Sequence, residues 1–502
     1  MGRQDLIIDE RIKKLHELRK QGIDPYPNKF EVSHSSTQLQ EKYSSLKPEK
    51  YTKDEVKIAG RLLTFRDMGK IAFGTLNDGY GKIQVVFQDK ETPKKAIEFF
   101  KKYIDSGDFI GIDGLVFRTK RGELSVLVKN MTLLSKSILP LPEKWHGLQD
   151  DEERLRKRYL DILMNPELKE IFEKRAKIID VIRSLLKEKG FLEVETPALQ
   201  SIYGGASARP FKTHLNALDT SLYLSISPEL YLKRLIVAGY NKVFTICKNF
   251  RNEGIDRQHN PEFTMMEYYA AYKNYEYHME LTEELFEKLK KELKIKDILE
   301  YQGKKINLKT PFKRIKFRDL LLKETGIDID KADNFLKLKN EIENKKIYGV
   351  DIKTCKHYGA LLDELYKRAA RPKLIQPTFL THYPVEMIAL AKRNEKDKRK
   401  INTVQLIIDG VEIIKAYDEL NDPLDQETRL KEQQALLHEG SEEAMPMDED
   451  FIEALKYGMP PTAGYGLGID RIIMLLTNSA SIHDVIIFPF MKPLNLKTLS
   501  PK

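Results

Sequence analysis

The chain has 502 residues, enough for about two to four domains. Its residues are 41% hydrophobic and 32% charged, and 85 Lys+Arg against 76 Asp+Glu leave a net charge of +9. That balance excludes an acidic tail protein and does not by itself mark a nucleic-acid binder. Two cysteines, Cys247 and Cys355, exclude a disulfide scaffold and a Cys-rich zinc site, and they fit a reducing setting. The first residues, MGRQDLIIDERIKK, lack an apolar signal region. The longest apolar runs, such as 485–491, fall far short of the roughly 20 residues a membrane span needs. A cytoplasmic protein with no membrane partner is expected.

In chain order, residues 9–20 read as a charged helix with Ile12, Leu15 and Leu18 on one stripe, stopped by the Gly- and Pro-containing stretch 22–27. Its simplest role is docking, with a solvated basic face. Residues 1–54 are expected to form an N-terminal helical segment. From 55 to 138 the pattern alternates. Strands are expected at 56–65, 71–76 and 83–87, then a helix at 92–104, then strands at 109–118 and 124–134. Five short strands with a helix between the third and fourth match a small OB barrel. Such barrels bind nucleic acid by stacking bases on aromatics beside basic groups. Here Phe65, Arg66, Phe73, Lys82, Gln84 and Phe87 lie on the central strands, and some of the aromatics must fill the interior. The segment 139–165, opening with LPLP, reads as a linker or hinge. A helical stretch over about 150–189 breaks at Asn165-Pro166 and ends at Gly190. The remainder, 166–502, is expected to be one large α/β region with a helical insert at about 283–378. It has no P-loop and no strand–GxGxxG–helix, which argues against a Walker or Rossmann nucleotide fold.

Three strings carry the chemistry: 190–197 (GFLEVETP), 250–269 (FRNEGIDRQHNPEFTMMEYY) and 464–475 (GYGLGIDRIIML). Each alone is weak. Together, in this order, they resemble motifs 1, 2 and 3 of the class II aminoacyl-tRNA synthetases. The strings GGASARPF (204–211), SPELYLK (227–233), ELNDP (419–423) and FPFMKP (488–493) are similar to those of the lysyl enzymes. The likeness runs from the N-terminal helix to about residue 493. It implies an α+β fold, an OB-fold anticodon-binding barrel followed by a catalytic domain whose antiparallel sheet is flanked by helices. The implied activity is ATP-dependent activation of L-lysine to lysyl-adenylate and transfer to the 3′ end of tRNA(Lys), by a homodimer with residues 178–197 at its interface.

The resemblance also implies roles. Arg251 would bridge the lysine carboxylate and the α-phosphate, and Arg471 would serve the γ-phosphate; these two are the catalytic candidates. Cations suit a transition state that gathers charge on phosphoryl oxygens. Phe263 would stack under adenine with Arg471 on its opposite face, and Glu253, His259, Asn260 and Glu412 complete the ATP contacts. Gly205, Glu229, Arg251, Glu267, Tyr269, Tyr417 and Glu419 would hold lysine. Carboxylates and a hydroxyl are what can replace the water of a buried ammonium. Glu267 and Tyr269 are two apart on an expected strand and so share a face. A paired-carboxylate hydrolase would leave Arg251, Arg471 and the barrel without a purpose. Arg66, Phe73 and Gln84 would face the anticodon.

The cofactor implied is Mg²⁺, normally held by two glutamates. Here Glu412 fills one position and Gln405 the other. A neutral amide removes a negative charge from a hard-cation site. A second departure is Lys415, where the family has Asn, and a third is 388–391 (IALA). All three lie within 387–417. They motivate the alternative of a catalytically altered or retasked paralogue: an RNA-binding or regulatory protein, or a ligase for a lysine analogue or a protein.

Overall fold

A computed structural model describes residues 3–142 and 150–493. The chain divides into two compact units, Met1–Gly147 and Leu148–Lys502.

The first unit is a closed barrel of β1 (Tyr51–Asp67), β2 (Ile71–Asn77), β3 (Lys82–Gln88), β4 (Phe109–Arg118) and β5 (Leu124–Ser135), in the order β1-β2-β3-β5-β4. Only β3 and β5 pair in parallel. The helix Lys94–Tyr103 joins β3 to β4. On β2, Ala72 and Leu76 point inward while Ile71, Phe73 and Thr75 point out, the period of two that the alternating sequence demands. Phe87 belongs to the interior, 1% exposed and stacked on Phe100 at 4.1 Å. Phe65 stands outside, meeting Phe100 edge-on at 5.5 Å.

The N-terminal helix Arg3–Lys20 begins six residues before the expected start, taking in Leu6, Ile7 and Ile8. Leu18 is fully buried with the barrel core. Buried Arg11 donates to the carbonyls of Ser106 (2.9 Å) and Leu139 (3.0 Å). This helix is a docking element, and it belongs to the same unit as the barrel.

In the second unit, the helices Asp151–Arg156 and Arg158–Met164 open the helical stretch expected from about 150, within the segment 139–165 that also reads as a linker. Buried Arg158 pairs with buried Asp161 at 3.1 Å and donates to the carbonyl of His483 at 2.7 Å, which anchors them. The break at Asn165 stands, and Pro166 opens the helix Pro166–Glu188. Ile178, Val181, Ile182, Leu185 and Leu186 make its buried stripe. Gly190 follows with φ +80°, the left-handed geometry that ends helices.

The strands beyond are β6 (Leu192–Glu193), β7 (Leu199–Gln200), β8 (Lys212–Leu215), β9 (Thr220–Leu224), β10 (Lys242–Phe250), β11 (Glu262–Ala271), β12 (Ile298–Tyr301), β13 (Lys304–Asn307), β14 (Lys313–Lys316), β15 (Thr378–Thr381), β16 (Thr403–Ile408), β17 (Val411–Asp418) and β18 (Thr462–Gly468). Eight form one sheet in the order β14-β15-β16-β17-β18-β11-β10-β6. It is antiparallel except for its edge pairs β14/β15 and β10/β6. The region 283–378 is therefore not a purely helical insert. It starts inside the helix Tyr275–Leu293 and holds the β12–β13 hairpin and edge strand β14 before its helices. Three four-residue strands, two of them rich in Lys, gave no clear alternation there.

One face of the sheet is covered by the helices Pro166–Glu188, Tyr275–Leu293 and Ile469–Leu476 around Met266, Tyr268, Tyr465 and Leu467. The other carries the helix Glu229–Val237 and a second core containing Tyr269, Tyr383 and Tyr417. Strand β18 reads Thr-Ala-Gly-Tyr-Gly-Leu-Gly. Tyr465 and Leu467 feed the first core, so Gly464 and Gly466 leave the opposite face bare.

Candidate active site

That bare strip is the floor of the candidate site. A Cβ at Gly464 would lie 2.1 Å from Glu419 Oε1 and 2.5 Å from the Tyr269 ring. The glycine is what allows these two side chains to cross the strand. Beside it, Gly205 has φ +84°, and a Cβ there would sit 2.8 Å from Glu229 Cβ. Only glycine lets this loop close on the helix start.

At one end of the strip three carboxylates are gathered, all buried: Glu229, Glu267 and Glu419. Tyr417 Oη donates to Glu229, 2.8 Å from each carboxylate oxygen. Ser227 Oγ donates to Glu267 Oε1 at 3.0 Å, and Tyr269 Oη to Oε2 at 3.4 Å. Burial, then the charge of Glu229, pushes the Glu267 carboxyl up to about 8. Burial also raises Glu419, against the pull of Lys233. Fully buried Lys233 binds Glu229 at 2.6 Å and forms a close ion pair with Glu419. That contact lacks hydrogen-bond geometry, and both Glu419 oxygens are buried without a hydrogen-bond donor. Lys233 and Ser227 were missed in the sequence. The available signal was a lysine one turn after Glu229, inside a largely apolar helix that also carries Arg234.

At the other end lie the groups suited to a nucleotide. The Arg251 guanidinium stands 5.0 Å over the Phe263 ring, and its Nε is buried without a partner. Arg471 donates to the Glu412 carbonyl at 3.0 Å, with the Glu412 carboxylate 3.9 Å away. Its Nη2 is 3.4 Å from His259 Nε2. His259 Nδ1 is 2.9 Å from Asp256, so Nδ1 is the donor and Nε2 the acceptor in the neutral tautomer. Thus the cation over Phe263 is Arg251, while Arg471 is held by Glu412 and His259. Asp470 fixes the helix start beneath Arg471, accepting from Arg175 at 2.6 Å and from the Thr264 N–H at 2.7 Å. Asn260 donates to the Glu262 carbonyl and leaves a buried Oδ1 unpaired. Glu253 is not brought into this group. It lies exposed on the loop and makes no hydrogen bond or ion pair among the described residues.

Glu412 and Gln405 do not form a cage for Mg²⁺. Gln405 Oε1 already accepts from Tyr383 Oη at 2.6 Å, and the residue paired across from Gln405 is Lys415. Among the described residues no cluster of three or more His, Cys, Asp or Glu could hold a metal. A neutral oxygen in use, a single carboxylate and a neighbouring ammonium are a poor donor set for a hard cation.

On the barrel, Arg66 pairs directly with Phe73, and Thr75 with Gln84, so the expected anticodon residues share the outer face. Phe73 packs with Val86, Phe117 and Leu127 in an apolar cluster separate from the interior. Gln84 donates to Glu123 at 3.0 Å and accepts from Ser125 at 2.9 Å. A cleft of about 320 Å³ opens there, lined by Gln40, Thr75, Lys82, Gln84, Arg118 and Glu123 among others. Glu123 lies in a turn-like stretch and had no sequence signal.

No helix of the described residues is long and apolar enough to cross a membrane. The family described as tRNA synthetases class II (D, K and N) matches residues 150–492, and the OB-fold nucleic acid binding domain family matches 56–134. The chain is 47% identical over 483 residues to a lysine–tRNA ligase of Pelotomaculum thermopropionicum, covering 96% of this chain and 94% of that one. It is 45% identical over 498 residues to that of Carboxydothermus hydrogenoformans, covering 98% and 100%. The Thermotoga maritima relative is 45% identical over 488 residues, covering 97% and 96%. With a buried acid pocket and an arginine pair on one face of such a sheet, and likeness over nearly its full length, the chain belongs to the class II lysine–tRNA ligase family.

Proposed function

We propose that this chain activates L-lysine with ATP and transfers the lysyl group to the 3′ end of tRNA(Lys). The observation that carries the reading is the buried set Glu229, Glu267 and Glu419, aligned on one sheet face with Arg251 and Arg471. Acids at one end suit the lysine side chain. An aspartate-activating pocket would need cations there instead. In the first step a lysine carboxylate oxygen attacks the α-phosphorus. The bond to the β-phosphate breaks and pyrophosphate leaves. Arg251, with an unused buried Nε, suits the meeting point of the two anions, and a planar guanidinium can bridge them. Phe263 would take adenine, displacing the guanidinium now above it. Arg471, held by Glu412 and His259, would bind the far phosphates. In the second step the terminal ribose hydroxyl attacks the acyl carbon and AMP leaves, its phosphate able to accept the proton. No step is assigned to a protein-held metal. The nucleotide would arrive as its magnesium complex, as the family likeness implies.

Gly205, Glu229, Glu267, Tyr269, Tyr417 and Glu419 are the proposed lysine contacts. His259 and Asn260 are proposed for ATP, and Arg66, Phe73 and Gln84 for the anticodon. A homodimer in the cytoplasm fits this reading, supported by exposed Leu192, Leu199 and Ile202 beside the Pro197 loop. Sedimentation tests the dimer. The function is tested by lysine-dependent ATP–pyrophosphate exchange and by charging of tRNA(Lys). Absence of both lysine-dependent exchange and charging overturns it.

A further inference from the structure

We propose that the ammonium of Lys415 is a built-in counter-cation at the junction of the lysine carboxylate and the ATP phosphates, doing there what a protein-held divalent ion would otherwise do. This rests on the reading above and names a residue that acts within it.

Position is the first argument. On β17, Tyr417 reaches the acid end through Glu229, and Glu412 reaches the nucleotide end beside Arg471. Lys415 lies between them on the same face as Tyr417, about 7 Å along the strand from it at the usual rise. Any carboxylate whose ammonium groups lie among Glu229, Glu267 and Glu419, and any phosphate held by Arg251 and Arg471, must meet near this row.

The neighbours are the second argument. Across the sheet the row reads Gln405, Lys415, Gly466, Glu267. Gly466 has no side chain, and what leans over it is the Met265 methyl, 3.4 Å from where a Cβ would sit, which offers Lys415 no counter-charge. Glu267 is already engaged by Ser227 and Tyr269. Gln405 is turned to Tyr383. Lys415 is half-buried and makes no hydrogen bond or ion pair among the described residues. A partly desolvated ammonium without a partner is costly unless an anion comes to it. A glutamate at 405 would supply one directly across the ladder and neutralise the lysine. The amide there keeps the ammonium free for substrate. The two substitutions thus make one device: the residue pair that fails to hold a metal carries the positive charge itself.

The test compares the unmodified enzyme with Lys415→Met and Lys415→Arg. Lysine-dependent exchange is titrated with Mg²⁺ at fixed ATP, and binding of α,β-methylene ATP, which cannot release pyrophosphate, is measured across the same Mg²⁺ range. Lys415→Met should lower exchange by roughly a hundredfold at low Mg²⁺, the size seen when one charge-stabilising donor is lost. Higher Mg²⁺ should recover part of it, and analogue affinity should fall in parallel. Lysine KM should rise by less than tenfold, that is by less than about 1.4 kcal/mol, because the acid end still holds the ammonium groups while the carboxylate loses one of its cations. Lys415→Arg should retain most of the exchange. The inference is overturned if Lys415→Met keeps exchange and its Mg²⁺ dependence, or if its loss does not respond to Mg²⁺ and Lys415→Arg is equally impaired. Failure of the unmodified enzyme to exchange would instead overturn the functional reading.

Discussion

The barrel and the eight-stranded sheet solve opposite problems. The barrel fills its interior with apolar side chains and presents Arg66, Phe73 and Gln84 on its outside, where each has solvent on one flank. The sheet strips one strand to glycine and buries charge: three carboxylates and a lysine lie together against Tyr269 and Tyr417. A surface recogniser can lose a side chain without disturbing the core. A buried charge cluster cannot, because each member is the others' solvation.

The largest break in that comparison should come from Lys233→Met. It leaves Glu229 and Glu419 buried without their cation, and chemical denaturation should show a loss of about 3–5 kcal/mol. A change under 1 kcal/mol would mean the acid cluster is solvated after all. Next is Gly464→Ala. The added methyl collides with Glu419 and Tyr269, so the fold should lose about 1–3 kcal/mol. Lysine KM should rise while ATP KM holds; equal changes in both would show that the strip is not divided into two ends. On the barrel, Phe73→Ala should weaken tRNA charging by about 1–3 kcal/mol of lost stacking. Lysine–ATP exchange should be untouched. If exchange falls equally, Phe73 supports the barrel and does not read RNA.

The smallest effect is in pH. The Glu267 carboxyl is held near 8 by burial and by Glu229, so below that pH it is neutral in the lysine-free enzyme. An arriving ammonium favours the carboxylate and expels the proton. Lysine KM should therefore fall as pH rises, by roughly fivefold between pH 7 and pH 8. The raised value also means the lysine-free fold gains stability from this group below its ordinary range near 4.5 and loses it as pH rises through about 8. The protection lysine gives against thermal unfolding should grow over the same interval. A flat KM in the unmodified enzyme, or an unchanged slope in Glu267→Gln, would show that another group titrates.

Much of this architecture is readable from local pattern. Strands at 109–118 and 124–134, the break at Asn165 and the stop at Gly190 follow from alternation, proline and glycine. Other features had competing explanations. Phe65 and Phe87 look alike in sequence, yet one is outside the barrel and the other inside, because register and not composition assigns faces. The helices of 151–164 fall both in the expected helical stretch and in the expected linker, because what fixes them, buried Arg158 with Asp161, has its further partners at His483 and Ile487, more than 300 residues away.

The sequence by itself determined most of the elements outside 283–378, the family and the residue types of the site, since periodicity, capping and long motif strings are local and survive without coordinates. Only the tertiary structure decided what those residues are to each other. It set Lys233 between two glutamates, turned Gln405 to Tyr383, and left Lys415 unpaired on the floor. Charge state and partner choice depend on through-space neighbours and burial, and those come from strands that lie far apart along the chain.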